Sequence, residues 1–134
     1  MTAPKVLLDT NIVSYLMKKR PEAEAYVPHL QGKLSAIAFI TVGELYFGAE
    51  KNGWGVQRRL KLETGLRNFL IIPYDHEISK AYARILVDRQ RMGRRMSSND
   101  AWIAACAVRH AVALVTHNLR DFEGISNLQI ISEA

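Results

Sequence analysis

The hydrophobic positions of this chain fall into short continuous runs that alternate with longer segments of helical periodicity. The runs have the length of buried strands, and apolar residues in the segments between them recur every three or four positions. The predicted strands cover residues 5–8, 34–40, 70–73, 112–115 and 128–131. Strands that alternate with helices favour a mostly parallel sheet covered on both faces, so the pattern predicts an α/β protein with the order β-α-α-β-α-α-β-α-α-β-β.

Polar residues at the ends of the apolar runs predict where several helices begin. Thr10 and Asn11 are residue types that favour a helix N-terminus, and Asp75 is expected to cap a long helix after the third strand. Thr41 and Glu44 have the Thr-x-x-Glu spacing of a capping box, which predicts a helix that starts at Thr41. A short helix is also expected over residues 22–29.

Acidic residues recur at the junctions between these elements. Asp9 directly follows the first strand, Glu44 and Asp121 follow the second and fourth strands, and Asp100 opens the helix that leads into the fourth strand. One aspartate at such a junction is typical of a helix cap, so the prediction depends on the recurrence. Because parallel strands present their carboxyl ends at one edge of a sheet, we expect the four carboxylates to meet there.

Four neighbouring carboxylates repel one another and raise each other's pKa, and a cation relieves that repulsion. Mg²⁺ and Mn²⁺ prefer oxygen ligands and keep several of their waters, so a few carboxylates suffice to hold them. A metal ion of this kind can activate water and stabilise the charge that develops during phosphodiester hydrolysis. The acidic cluster therefore predicts a divalent-metal site suited to phosphodiester hydrolysis, and our hypothesis is that its substrate is RNA.

Composition narrows the class of protein and its partners. The 134 residues suggest a single domain over residues 1–134, and the net charge of +5 favours a polyanionic partner. No apolar run approaches the roughly 20 residues needed to span a bilayer, and the early apolar run is interrupted by Asp9, unlike a signal peptide. The single Cys106 excludes an intramolecular disulfide. These features predict a cytoplasmic protein that does not insert into membranes.

Basic residues cluster just before Asp100. Arg91, Arg94 and Arg95 lie at the end of the predicted long helix, where they could contact RNA phosphates. Positive charge near a helix C-terminus also complements the helix dipole, so the cluster has a purely structural interpretation as well. Both interpretations remain open from the sequence.

Four segments together resemble those of PIN-domain ribonucleases, and in particular the VapC toxins of type II toxin–antitoxin pairs. Each motif is short, but their order and spacing are specific, and the resemblance extends from Val6 to Phe122. The segments are Leu7-Leu8-Asp9-Thr10-Asn11, Thr41-Val42-Gly43-Glu44-Leu45, Asn99-Asp100-Ala101-Trp102-Ile103-Ala104-Ala105 and Thr116-His117-Asn118-Leu119-Arg120-Asp121-Phe122.

The resemblance implies a Rossmann-like α/β/α sandwich and an endoribonuclease that depends on Mg²⁺ or Mn²⁺. It also implies a homodimer and inhibition by a cognate VapB-type antitoxin. Asp9, Glu44 and Asp100 carry over as catalytic and metal-binding residues. The fourth acidic position varies in the family between the places of Asn118 and Asp121, and we assign it to Asp121.

Polar residues beside the acidic set are the candidates for contacting RNA. The resemblance places Thr116 in the lining of the site, and we add its neighbours as expected substrate contacts. The candidate substrate-binding residues are Thr10, Asn11, Thr116, Asn118, Arg94 and Arg95. An alternative is a catalytically weak PIN-like module that binds nucleic acid or acts as an adaptor. The intact acidic set favours the enzyme.

Overall fold

The computed structural model describes residues 4–134. Their five strands form one parallel sheet in the order β3-β2-β1-β4-β5. The strands are β1 (Lys5–Leu8), β2 (Leu34–Ala38), β3 (Leu70–Ile72), β4 (Ala113–Val115) and β5 (Ile130–Ile131). The helices are α1 (Thr10–Met17), α2 (Val27–Leu30), α3 (Phe39–Lys51), α4 (Val56–Leu66), α5 (His76–Arg91), α6 (Ser98–His110) and α7 (Leu119–Phe122). The predicted α/β class and its parallel sheet are confirmed.

Strand β1 lies at the centre of the sheet, between β2 and β4, and both of its faces are covered. Leu7 packs into the core on the side of α5 and α6, whereas Val6 and Leu8 pack into the core that α1 and α4 close. A strand buried on both faces appears in the sequence as a continuous apolar run, which is why residues 6–8 show no alternation. The result is three layers, with Asp9 at the carboxyl end of the central strand.

Helix α6 packs close to the sheet because its buried positions carry small side chains. Ala101, Ala104 and Ala105 have essentially no exposed surface, and Cys106 is buried beside them as a free thiol. Small residues allow the helix backbone to approach its neighbours, and α5 packs along α6 over much of its length. This packing fixes the N-terminus of α6, where Asp100 lies, relative to the sheet.

The predicted capping box at Thr41 is wrong. Strand β2 ends at Ala38, and α3 already begins at Phe39, so Thr41 is the third residue of the helix and not its cap. A short apolar run does not distinguish a strand from the start of a buried helix, which explains why the pattern extends the strand over Phe39 and Ile40. The correction removes the capping explanation for Glu44, which lies in the second turn of α3.

Other boundaries also differ from the expectations. Asp9, one residue before Thr10, is the N-cap of α1, and Ser97 is the N-cap of α6. Residues 22–29 do not form one helix: a 3-10 turn at Pro21–Ala23 precedes α2, in which Pro28 is the second residue. The one-turn helix α7 was not predicted. The cap at Asp75 is confirmed, since its carboxylate accepts a 2.8 Å hydrogen bond from the Ile78 amide.

None of the helices within residues 4–134 is both long enough and apolar enough to cross a lipid bilayer.

Candidate active site

The acidic edge is the edge of the sheet at the carboxyl ends of the strands, with the predicted carboxylates Asp9, Glu44, Asp100 and Asp121. Asp9 is its buried residue. Its side chain retains 4% of its exposure, and both carboxylate oxygens accept hydrogen bonds. Oδ1 accepts from the Thr10 amide at 2.8 Å, and Oδ2 accepts from the Thr116 hydroxyl at 2.7 Å. Residue 9 follows β1 and residue 116 follows β4, so the hydrogen bond to Thr116 joins the ends of two neighbouring strands. Asp9 is therefore held in a single orientation from two directions.

Glu44 is oriented from the other side by a pair of threonines. The Thr10 hydroxyl donates to Glu44 Oε1 at 2.7 Å and lies 2.9 Å from the hydroxyl of Thr41. Thr10 has one hydroxyl hydrogen, which the Glu44 carboxylate takes, so Thr41 donates to Thr10. Thr41 is fully buried. The chain Thr41–Thr10–Glu44 thus links the start of α3 to the start of α1.

Asp100 lies at the third position of α6, and its backbone amide donates to the hydroxyl of Ser97 at 3.1 Å. Because Ser97 caps the helix, the side chain of Asp100 is not needed for that purpose. The pKa of Asp100 is raised by its partial burial, against a hydrogen bond from Ser97 that lowers it, and is raised further by the charges of Asp121 and Glu44. Asp100 therefore lies in the electrostatic field of the two other acidic side chains.

Among the four acidic residues, the large pKa perturbation is at Asp9. Burial raises the pKa of this carboxyl from 3.8 to about 6, the hydrogen bond from Thr116 opposes the rise, and the charges of Asp100 and Glu44 add to it. The cause is that a carboxylate taken out of water and placed near like charges is disfavoured in its ionised form. A buried group with a shifted pKa among other titratable groups is typical of a functional site.

The fourth acidic residue approaches from α7. Asp121 is exposed, and its charge acts on Asp100. Asn118 lies just before α7, and its amide donates to the Thr116 hydroxyl at 3.0 Å, the same hydroxyl that donates to Asp9. Asn118 is thus connected to the acidic edge through its backbone. The assignment of the fourth acidic position to Asp121 stays a prediction.

The predicted site residues differ in how closely the structure connects them. Asp9, Thr10, Glu44 and Thr116 form one hydrogen-bonded set, and Asp100 acts on it electrostatically. Asn11 is exposed beside this set. Within residues 4–134, no three Asp, Glu, His or Cys side chains converge closely enough to form a ready-made set of metal ligands. The carboxylates thus share an edge and an electrostatic field but do not close around one point.

The predicted phosphate-binding arginines divide into two kinds. Arg91 and Arg95 are exposed. Arg94 is partly buried, and its guanidinium donates to the carbonyls of Arg120 at 2.7 Å and Glu123 at 3.1 Å. Arg94 therefore has an intramolecular role at the C-terminal end of α7. Its predicted contact with phosphate stays a prediction.

Sequence reasoning missed three polar residues around the site. The sequence pattern predicts a cap at Thr41, and it assigns neither Ser97 nor Arg89 a role at the site. Arg89 continues the buried stripe of α5 formed by Ile78, Ala81 and Ile85. An arginine on the apolar face of a helix was the available signal, because such a residue is seldom buried without partners.

His117, which lies between Thr116 and Asn118, is tied to the core below the site. Its Nδ1 shares a 2.6 Å hydrogen bond with the hydroxyl of the fully buried Tyr26, which also donates to the Thr116 carbonyl at 3.3 Å. The Glu133 amide donates to the same hydroxyl at 3.0 Å. Tyr26 thereby supports the backbone from which Thr116 reaches Asp9.

A parallel α/β sandwich with acidic residues at the carboxyl ends of its strands is the architecture of a PIN domain. The sequence profile of the PIN domain matches residues 6–128, and the chain belongs to this family. The match covers all four acidic positions and the three threonines, Thr10, Thr41 and Thr116, that orient Asp9 and Glu44.

Within that family the chain is similar to VapC proteins. It is 35% identical to Ribonuclease VapC2 of Haemophilus influenzae over 126 residues, which cover 93% of this chain and 95% of the relative. Two solved complexes contain chains of the same fold. In VapBC2 of Rickettsia felis bound to a DNA fragment from its promoter, the matching chain has a TM-score of 0.86 and 26% identity, over 97% of this chain and 99% of that one. In VapBC-1 of nontypeable Haemophilus influenzae the values are 0.80 and 32%, over 96% and 97%. The resemblance to VapC-type PIN domains is confirmed.

Proposed function

We propose that this chain is an endoribonuclease that depends on Mg²⁺ or Mn²⁺ and acts as the toxin of a VapBC-type toxin–antitoxin pair. The observation that carries the proposal is the buried Asp9, fixed by Thr10 and Thr116 and subject to the charges of Asp100 and Glu44. Such an arrangement costs stability as long as the charges are uncompensated. The nuclease names of the relatives support the same activity.

The donor set fits a hard divalent cation. Asp9, Glu44, Asp100 and Asp121 offer carboxylate oxygens, which Mg²⁺ and Mn²⁺ prefer. Mg²⁺ usually binds one or two carboxylates directly and keeps several waters, so a set of carboxylates alone suits it better than Zn²⁺, which favours histidine and cysteine ligands. When bound, the ion would supply Lewis-acid stabilisation of the phosphate charge and an activated water.

The other residues keep the carboxylates in place. Thr116 and the Thr10 amide fix both oxygens of Asp9, and the Thr10 hydroxyl fixes one oxygen of Glu44. Side chains that are already oriented need no reorganisation when charge develops on the substrate, which is the main electrostatic advantage of an enzyme site. The net charge of +5 would draw the RNA backbone toward the protein.

The proposed partner is a VapB-type antitoxin. Two similar chains of known structure occur in VapBC complexes, which supports a partner of this kind for the present chain. An arginine from a segment of the antitoxin would pair with the acidic edge and compete with the metal ion. We also propose a homodimer, to be tested by light scattering of the purified protein.

The test is RNA cleavage by purified protein with Mg²⁺, with Mn²⁺ and with EDTA. Cleavage should require one of the metals. Glu44→Gln should lower the rate about 10²–10³-fold, since one strong electrostatic element is lost. Glu50→Gln is the matched control, because Glu50 lies on the same helix and pairs with Arg59 at the surface. Full activity in EDTA would refute the metal dependence, and RNA binding without cleavage would favour the adaptor alternative.

Expression in cells tests the toxin role separately. The chain alone should arrest growth, Glu44→Gln should not, and co-expression of the cognate antitoxin should restore growth. Arrest that persists in Glu44→Gln would show that toxicity does not come from the acidic edge.

A further inference from the structure

The short helix α7, which carries Asp121, has few stabilising interactions of its own. One turn of helix is unstable in isolation, because nucleation costs more than a single turn returns. Its backbone bonds include those from the amides of Asp121 to Asn118 and of Glu123 to Leu119, at 3.0 and 2.9 Å. Buried Phe122 anchors it to the core. The carbonyls at its C-terminal end need partners from elsewhere in the protein.

Two arginines of the α5 region supply those partners. Arg89 donates from Nη2 to the Asp121 carbonyl at 2.7 Å and from Nη1 to the Glu123 carbonyl at 2.9 Å. Arg94 donates to the carbonyls of Arg120 and Glu123 at 2.7 and 3.1 Å. Four N–H groups of two charged side chains thus donate to three backbone carbonyls at the C-terminal end of α7, those of Arg120, Asp121 and Glu123. Charge-assisted bonds of this kind are stronger than neutral ones.

We propose that Arg89 and Arg94 are positioning residues that hold α7, and with it Asp121, against the acidic edge. The proposal rests on the proposed function in so far as Asp121 serves the metal site. The N-terminal end of α7 is fixed independently, because the Asn118 amide reaches Asp9 through the Thr116 hydroxyl. Asp121 therefore lies between two anchored ends.

The burial of Arg89 supports a positioning role over a contribution to stability. The side chain is 2% exposed, and its Nε finds no hydrogen-bond partner among the described residues. A buried arginine with an unpaired N–H is costly, and apolar replacements of buried charges are often neutral or stabilising. What the arginine provides that a methionine would not is the pair of bonds to the backbone of α7. These bonds also counter the repulsion that Asp121 meets from Asp100.

The first test measures the order of α7 in metal-free protein by amide hydrogen exchange. Arg94→Met and Arg89→Met should speed exchange at the amides of Asp121 and Glu123 roughly tenfold or more, as local opening becomes easier. Arg84→Met is the matched control, because Arg84 is exposed on the same helix. If Arg89→Met does not fold, the partly exposed Arg94→Met carries the test alone. Exchange at wild-type rates in Arg94→Met would overturn the proposal.

The second test measures Mn²⁺ binding by titration calorimetry, without RNA. Arg94→Met should weaken Mn²⁺ binding roughly threefold to tenfold in the wild-type background and not at all in Asp121→Asn, because residues that act through one another are not additive. An equal loss in both backgrounds would overturn the proposal.

The positioning role of the two arginines can be tested independently of the proposed ribonuclease activity. Lack of RNA cleavage or Mn²⁺ binding by the wild-type protein would refute the proposed function, while the exchange experiment would still decide whether the arginines hold α7. If Arg94 contacted an RNA phosphate directly, Arg94→Met would instead lower the salt dependence of RNA binding, and would do so equally in the Asp121→Asn background. That result would overturn the positioning role.

Discussion

The ionisation of Asp9 should make the metal-free protein less stable as the pH rises. The pKa of this carboxyl is about 6 in the folded protein against 3.8 as its ordinary value. Between these values the folded state holds the proton more tightly than the unfolded state, so raising the pH favours unfolding. At 1.36 kcal/mol for each unit of pKa, the free energy of unfolding should fall by roughly 3 kcal/mol from this residue. The stabilisation is complete below pH 3.8 and is lost by about pH 7.

Asp9→Asn isolates this effect from the other titrating groups. A carboxamide has one oxygen where Asp9 uses two, against Thr10 and Thr116, so the variant carries a constant cost of about 1–3 kcal/mol at every pH. The informative quantity is the difference in unfolding free energy between wild type and variant, measured by urea denaturation in EDTA from pH 4 to 8. It should move by roughly 3 kcal/mol in favour of the variant as the pH rises.

Two further measurements sharpen the result. Thr116→Val removes the hydrogen bond that lowers the pKa of Asp9, so the fall in unfolding free energy should extend to higher pH. Excess Mg²⁺ should make this fall smaller, because an ion that binds the ionised carboxylates stabilises the folded state. A difference that stays constant from pH 4 to 8 would refute the reasoning, since it would mean that Asp9 ionises as easily in the folded protein as in the unfolded chain.

Two other predictions concern catalysis and RNA binding. Asp100→Asn should lower the rate of RNA cleavage about 10²–10³-fold. Because Ser97 caps α6, the variant should not have a lower melting temperature in EDTA, and Mg²⁺ should raise its melting temperature less than that of wild type. Retained activity, together with an equal rise in melting temperature with Mg²⁺, would show that Asp100 is not part of the site. Replacing the exposed Arg91 and Arg95 by Ala should weaken RNA binding and reduce the slope of log affinity against log salt by about 0.7 for each phosphate that is no longer neutralised. An unchanged slope would leave both arginines as a solvated helix end.

The sequence by itself determined the elements whose signals are local. The apolar run before Asp9 indicated a buried strand, and Asp75, three residues before the Ile78 amide that it caps, was predictable as a helix cap. The order of strands and helices was sufficient to predict the parallel sheet, and hence that acidic residues after β1, β2 and β4 would share one edge. The resemblance of the four motifs to PIN domains was confirmed by the family match.

The tertiary structure decided which of several possible partners each polar side chain uses. Thr41 had a local explanation as a cap, yet it bonds to Thr10, 31 residues away. Asp9 receives its second hydrogen bond from a residue 107 positions away, and the burial that raises its pKa comes from layers packed on both sides of β1. Arg89 reaches α7 over a separation of 32 residues. Hydrogen-bond partners so distant in sequence become neighbours only when the sheet is assembled, whereas strand and cap signals lie within a few residues, and this is why the acidic edge was predictable and its supporting contacts were not.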